Sequence, residues 1–233
     1  MVKGKKITKK QLKQPDEFIT VTQRGLLFIQ EHSKKIVTAG VIIVVIVAGF
    51  VFFQMWEKKK EAEANQKFSL ATEAYQRVSN PYREGSPSEV KNALKNFEEV
   101  IRQYPGTSGE KLSLLYKGNI HFGLGEFDEA IKAYQAFLEK VGKEELYRIF
   151  ALEGLGYAYE GKKDYAKAIE FYQQIIALGE NFQSGDVHLS LGRCYEKIGK
   201  NKEALENYSV YLKKAKKSEM TNAVQRKVSM LEK

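Results

Sequence analysis

The chain has 233 residues, with 38 Lys and Arg against 29 Asp and Glu, one Cys, four Pro, 13 Tyr and 13 Phe. A single cysteine excludes a disulfide scaffold, and 43% apolar with 29% charged residues excludes a disordered or collagen-like chain. The formal charge of +9 is unevenly spread: residues 1–35 carry nine basic and three acidic side chains, 36–56 carry none, and the remainder holds 29 basic against 26 acidic; so balanced a surface is no trap for phosphate backbones, which argues against nucleic acid as a partner.

Residues 1–35 read as a basic tail. From Ile36 to Trp56 follow 21 residues without a charge, about 30 Å of helix at 1.5 Å per residue, enough to cross a bilayer once. Thirteen of them are Ile, Val or Phe, together worth about −4 to −8 kcal/mol on the insertion scale. The reading is a single transmembrane helix over 36–56, with Lys34 and Lys35 at one membrane interface and Trp56 and Lys58 at the other. A cleavable signal would be shorter, nearer the start and followed by small residues, whereas this run closes on Phe52, Phe53, Gln54, Met55 and Trp56. Basic residues close to the span nearly balance, Arg24, Lys34 and Lys35 against Lys58, Lys59, Lys60 and Lys67. Orientation therefore rests on the whole tail, which stays in the cytoplasm while a long domain translocates largely regardless of charge. That layout places the N-terminus in the cytoplasm and the long domain on the far side of the membrane.

Beyond the span, apolar residues recur at three- and four-residue spacing between Gly and Pro punctuation, which predicts helices throughout. Residues 57–88 read as a juxtamembrane helix and linker, with Phe68, Ala71, Tyr75 and Val78 on one stripe. Ser86, Pro87 and Glu89 spell an N-cap, a first-turn proline and a capping box, and Thr107 with Glu110 repeats the cap. Over 89–216 the chain is self-similar. Leu155-Gly156-Tyr157-Ala158-Tyr159 followed by Ala168 and Tyr172 matches Leu191-Gly192-Arg193-Cys194-Tyr195 followed by Ala204 and Tyr208, and Gly118, Ala130 and Tyr134 fall in the same frame. The small residue recurs at Ala93, Ala130, Ala168 and Ala204, at spacings of 37, 38 and 36. Residues 217–233 carry a narrow stripe of Met220, Val224, Val228 and Leu231, suited to a capping helix with a polar outer face. The fold class is all-α: one membrane helix, a solenoid of helical hairpins and a C-terminal cap.

Candidate chemistry is sparse. Residues 156–163 nearly spell a phosphate loop, but Lys163 stands where a hydroxyl must hold magnesium and no strand precedes the glycines. The glycines at 123, 125, 154 and 156 read as turn and helix-packing residues. His32, His121 and His188 are scattered, and Cys194 lies six residues beyond His188, about 240° round a helix. No metal site, cofactor site or catalytic constellation is expected, and the chain does not read as an enzyme.

The L-G-x-x-Y and A-x-x-x-Y pattern around Gly156, Gly192, Ala168 and Ala204 resembles the tetratricopeptide repeat, in which small residues let paired helices approach and aromatics fill the space between units. The resemblance implies a concave face lined by the first helix of each hairpin. Positions three before and one after the packing glycine are Leu115 and Asn119, Glu153 and Tyr157, Leu189 and Arg193, with Phe122 and Phe150 nearby; these eight form the expected protein-binding groove. Only Asn119 fits the Lys and Asn clamp that co-chaperone members use for a C-terminal carboxylate. The layout of basic tail, amphipathic Phe18–His32, single span and exported repeats resembles the bacterial ancillary SecYEG translocon subunit family. That resemblance implies a translocon-associated chaperone or adaptor with proteins or polypeptide segments as partners. A membrane-fixed scaffold for one envelope complex, and an organelle import receptor with cytosolic repeats, are the alternatives.

Overall fold

The computed structural model describes residues 17–78, 86–179 and 184–232, so residues 1–16 of the basic tail and 79–85 of the linker lie outside the described residues. Among those described there are ten helices and no strand: α1 (Glu17–Glu31), α2 (Ser33–Val78), α3 (Pro87–Gln103), α4 (Ser108–Gly123), α5 (Phe127–Val141), α6 (Glu145–Gly161), α7 (Tyr165–Ala177), α8 (Ser184–Lys197), α9 (Asn201–Lys214) and α10 (Glu219–Leu231). The chain divides between Lys58 and Lys59 into two units.

In the first unit the apolar run lies on α2, a helix long and apolar enough by length and composition to cross a membrane. Its apolar side chains are exposed among the described residues, Val44 and Phe52 for example. Lys34, Lys35, Trp56 and Lys58 are all exposed on the same helix, with the Phe53 and Trp56 rings 6.2 Å apart. His32 alone separates α1 from α2, its ring stacked on Phe28 at 4.5 Å.

The second unit is a stack of hairpins. Helix α2 ends at Val78, and its last turns are packed in this unit. Phe68, Ala71, Tyr75 and Val78 pack with Ala93, Phe97 and Ile120, so this segment is the first helix of the first hairpin. Its polar flank grips the next unit. Glu61 accepts the Ser108 backbone N–H at 3.1 and 3.2 Å, a carboxylate satisfying the orphan donors at a helix start. Lys60 donates to the Pro105 carbonyl at 2.5 Å.

The caps follow the sequence with one change. Ser86 closes the full capping box with Glu89. Thr107 accepts the Glu110 N–H at 3.2 Å, but the Glu110 carboxylate reaches past it to the Gly106 N–H at 2.6 Å and to Lys140 at 2.8 Å. Glu110 is buried, and an ionised group so placed needs both partners.

One arrangement recurs in the hairpins α4–α5, α6–α7 and α8–α9. Ala130, Ala168 and Ala204 are fully buried, as is Ala93 of α3. Four residues on, one helical turn, stand Phe97, Tyr134, Tyr172 and Tyr208, all buried. Each tyrosine ring packs directly against a glycine of the preceding helix: a Cβ on Gly118, Gly156 or Gly192 would sit within about 2.5 Å of the Tyr134, Tyr172 or Tyr208 ring. The tyrosine hydroxyl then donates back to that helix, to Asn119 at 2.8 Å, Glu160 at 2.7 Å and Glu196 at 2.6 Å.

The C-terminal helix α10 closes the stack with Val224 and Val228 packed on Ala204, Tyr208 and Tyr211. Met220 is not part of that stripe. It is 54% exposed, and Thr221, which closes the capping box with Ser218, takes the buried place at 7%. The phosphate-loop lookalike is helical: Gly156 and Gly161 both lie in α6 and pack on Tyr172 and Phe127.

Seven residues after each packing glycine the chain turns through positive φ, at Gly125 (75°), Lys163 (62°) and Gly199 (75°). Lysine is strained in this left-handed region, where glycine is not. Lys163→Gly should raise stability by roughly 0.5–1 kcal/mol, the relief of strain exceeding the added unfolded-state entropy; a lowered melting temperature would contradict this. Gly156→Ala should cost about 1–3 kcal/mol, because the Tyr172 ring, buried and tied to Glu160, cannot retreat. Thermal denaturation followed by circular dichroism measures both.

Candidate functional site

The first helices of three successive hairpins, α2, α4 and α6, wall a groove of about 860 Å³. Leu115, Asn119, Phe122, Phe150, Glu153 and Tyr157 all line it. Those are six of the eight residues expected from the repeat frame. The rings interlock: Phe68 and Tyr75 of α2 lie edge-on to Tyr116 at 5.5 and 5.4 Å, and Phe122 faces Tyr157 at 6.3 Å. Tyr116 and Tyr147 carried no signal in the repeat frame, since they occupy positions where the pattern specifies no residue. Tyr134 was legible only as a packing aromatic, and Phe68 and Tyr75 only as a helix stripe.

Polar groups in the groove are few and engaged. Tyr134 donates its hydroxyl to Asn119 Oδ1 at 2.8 Å, which binds the one residue matching a carboxylate clamp. Tyr157 donates to Glu153 Oε1 at 3.1 Å. Burial first, then the Glu153 charge, pushes the Tyr157 phenol up to about 12. Burial likewise raises Tyr134, with Tyr75 and Glu153 adding to it. Both phenols therefore stay protonated at physiological pH and act as donors.

Leu189 and Arg193 are not part of this groove. Leu189 packs against the α9–α10 cluster. Arg193 donates to Glu160 at 3.0 and 2.9 Å and to Ser190 at 3.2 Å, and the Glu160 hydrogen bond holds the guanidinium charged. In the repeat frame Glu160 stands four residues after its packing glycine and Arg193 one after the next. The same two positions one unit earlier are Phe122 and Tyr157. An ion pair thus bridges α6 to α8 where an aromatic pair bridges α4 to α6. Lys227 of α10 repeats the ionic version on Glu196, at 2.6 and 2.8 Å. The groove opens where the carboxylate and cation are replaced by rings.

The other reactive groups are structural. His121 is buried with Nδ1 2.6 Å from a Glu126 oxygen, and His188 Nδ1 lies 2.8 Å from Asn207. Cys194 is fully buried, and burial, with the nearby Glu160 charge, pushes its thiol up to about 12. Among the described residues no three His, Cys, Asp or Glu side chains are grouped to hold a metal ion.

The tetratricopeptide repeat-like domain family matches residues 27–233. The chain belongs to that family. No curated protein matches this tetratricopeptide repeat-like chain in sequence. Among solved structures, a tetratricopeptide repeat protein of Parabacteroides merdae superposes with a TM-score of 0.57 at 18% identity, over 72% of this chain and 60% of that one. The chain thus spans about three fifths of that relative. MamA from Desulfovibrio magneticus superposes with a TM-score of 0.52 at 16% identity, over 71% of this chain and 95% of that one. At these identities the likeness establishes the shared helical repeat fold.

Two outcomes follow for this tetratricopeptide repeat-like protein. Phe122→Glu combined with Tyr157→Arg should install the Glu160–Arg193 bridge one unit earlier, closing the groove while the melting temperature stays within a few degrees of the parent. A double variant that unfolds would refute the equivalence of the two positions. Cys194 should resist alkylation by iodoacetamide until the protein is denatured, since only a thiolate with access reacts; rapid labelling of the native chain would contradict its burial.

Proposed function

We propose that the chain is a membrane-anchored, non-enzymatic module that binds polypeptide segments in the groove between α2, α4 and α6. The aromatic groove is the observation that carries this reading. It is walled by three successive hairpins, open to solvent and large enough for several side chains, and apolar surface of that kind suits extended polypeptide. The anchor is supported by the uncharged, exposed run on α2.

The location proposed is a bacterial inner membrane, with the basic tail in the cytoplasm and the repeats in the periplasm. The resemblance to the ancillary SecYEG translocon subunit family extends the proposal to an adaptor or holding chaperone beside the translocon. Tethering would confine the groove to the membrane surface and raise its effective concentration near emerging chains.

A reporter active only in the periplasm, fused after Lys233, should be active in a bacterial host, and activity of a cytoplasm-only reporter in its place would overturn the topology. A photocrosslinking residue at Tyr157 should capture translocon components, chaperones or exported chains in cells. The same residue at exposed Gln173 of α7, outside the groove, should not. Equal capture from both positions would remove the groove from the account.

A further inference from the structure

We propose that α1 is a lipid-binding helix that lies along an anionic leaflet, its apolar face against the acyl chains and Arg24, Lys34 and Lys35 among the headgroups. This rests on the anchor reading of α2 and on nothing in the groove. The face is carried by Val21, Leu26, Phe28 and Ile29, which at about 100° per residue fall within an arc of about 160°. Gln23, Arg24, Gln30 and Glu31 share the opposite side, with Leu27 as the apolar exception there. All four residues of the apolar face are exposed, and a contiguous apolar face of that kind marks a binding surface.

Position and charge choose lipid as its cover. His32 alone separates α1 from α2, and the uncharged run begins at Ile36, directly after Lys34 and Lys35. On the anchor reading those lysines stand at headgroup depth, so the C-terminal end of α1 starts at that depth too. Continued straight into water, α1 would carry Val21 about 22 Å beyond Ile36 with its apolar face wet. Turned at His32 into the plane of the surface, it sets the four apolar side chains into the acyl boundary and keeps Gln23 and Gln30 in water.

The charge has the matching sign. By sequence, residues 1–35 carry nine basic against three acidic side chains, and Arg24, Lys34 and Lys35 are exposed. A cytoplasmic leaflet is negatively charged, and each basic side chain held near it adds attraction. Apolar burial and this attraction act together on one short helix, so the chain has two membrane contacts, a span and a surface helix, joined at His32.

The test places a nitroxide on one introduced cysteine of the full chain in nanodiscs of phosphatidylethanolamine and phosphatidylglycerol; Cys194 is fully buried and takes little label. Oxygen concentrates in the bilayer and a nickel chelate stays in water, so their collision rates with the label report its depth. Val21→Cys, Leu26→Cys and Ile29→Cys should favour oxygen, as Val44→Cys in the span does, whereas Gln23→Cys and Gln30→Cys should favour nickel. Replacing phosphatidylglycerol by phosphatidylcholine should shift the three apolar-face labels toward nickel and leave Val44→Cys unmoved. Arg24→Gln added to Leu26→Cys should lower the ratio of docked to undocked helix roughly fivefold, the worth of one basic side chain at an anionic surface.

Nickel access at all five α1 positions, with Val44→Cys still in oxygen, would overturn the surface helix and leave the anchor standing. So would apolar-face labels shielded from both reagents, since a protein partner or a second copy would then cover the face. Oxygen preference at all five would make α1 part of the span, and docking that ignores lipid charge would remove the anionic leaflet; each contradicts the proposal. Nickel access at Val44→Cys would overturn the anchor itself.

Discussion

In three successive hairpins a tyrosine ring occupies the space where a side chain on the opposing glycine would be. Gly118, Gly156 and Gly192 each admit a ring to within about 2.5 Å of where a Cβ would stand, and the tyrosine hydroxyl then ties the ring to the helix that carries the glycine. Close approach and hydrogen bond come from one side chain, so ring orientation and helix spacing are set together. A buried hydroxyl without that acceptor would cost about 1–3 kcal/mol, which makes the acceptor as necessary as the glycine. Tyr134 is also shared between units, since a Cβ on Gly154 would meet the same ring at 2.7 Å. The stack is therefore continuous rather than a row of separate pairs, and the inner face inherits its regularity.

The groove follows from a local change in that regular frame. Where α6 meets α8 and α8 meets α10, a glutamate accepts both the tyrosine hydroxyl and a cation from the next helix. These contacts link neighbouring helices across the inner face. Between α4 and α6 the same positions are Phe122 and Tyr157, and Tyr134 turns to Asn119 for its acceptor. Two rings meet with their centroids about 4.5–7 Å apart and need no directed hydrogen bond between them, so the helices are joined without the inner face being closed. One repeat frame thus yields an open aromatic half and a bridged polar half.

Much of this was legible in the sequence because the constraint itself is compositional. Only glycine and alanine permit the approach, so Gly118, Gly156, Gly192 and the four buried alanines appear as a period near 37 residues. Leu115, Asn119, Glu153 and Tyr157, at the positions that the repeat resemblance picks out, line one pocket, with Phe122 and Phe150 beside them. Leu189 and Arg193 stand at the same frame positions and do not line that pocket, because position in the frame says where a side chain projects and not which neighbour engages it; Glu160, four residues after its glycine, engages Arg193. The sequence reading also set residues 57–88 apart as a juxtamembrane helix and linker. The run of charge and alanine after Trp56 gives no break to mark where an extended helix becomes the first helix of a hairpin; the packing of Phe68, Ala71, Tyr75 and Val78 on Ala93, Phe97 and Ile120 reveals it, and Glu61 and Lys60 reach the next hairpin. Tyr116 and Tyr147 were invisible for a related reason: the repeat leaves their positions unspecified.

Hydrogen exchange of the full chain in nanodiscs, with and without a saturating bound peptide, tests most directly whether the open half of the inner face is where polypeptide is held. The account predicts added amide protection in residues 65–78 of α2 and in α4 and α6, with α8, α9 and α10 unchanged. Protection confined to α8–α10, or to the outer helices α5 and α7, would contradict it.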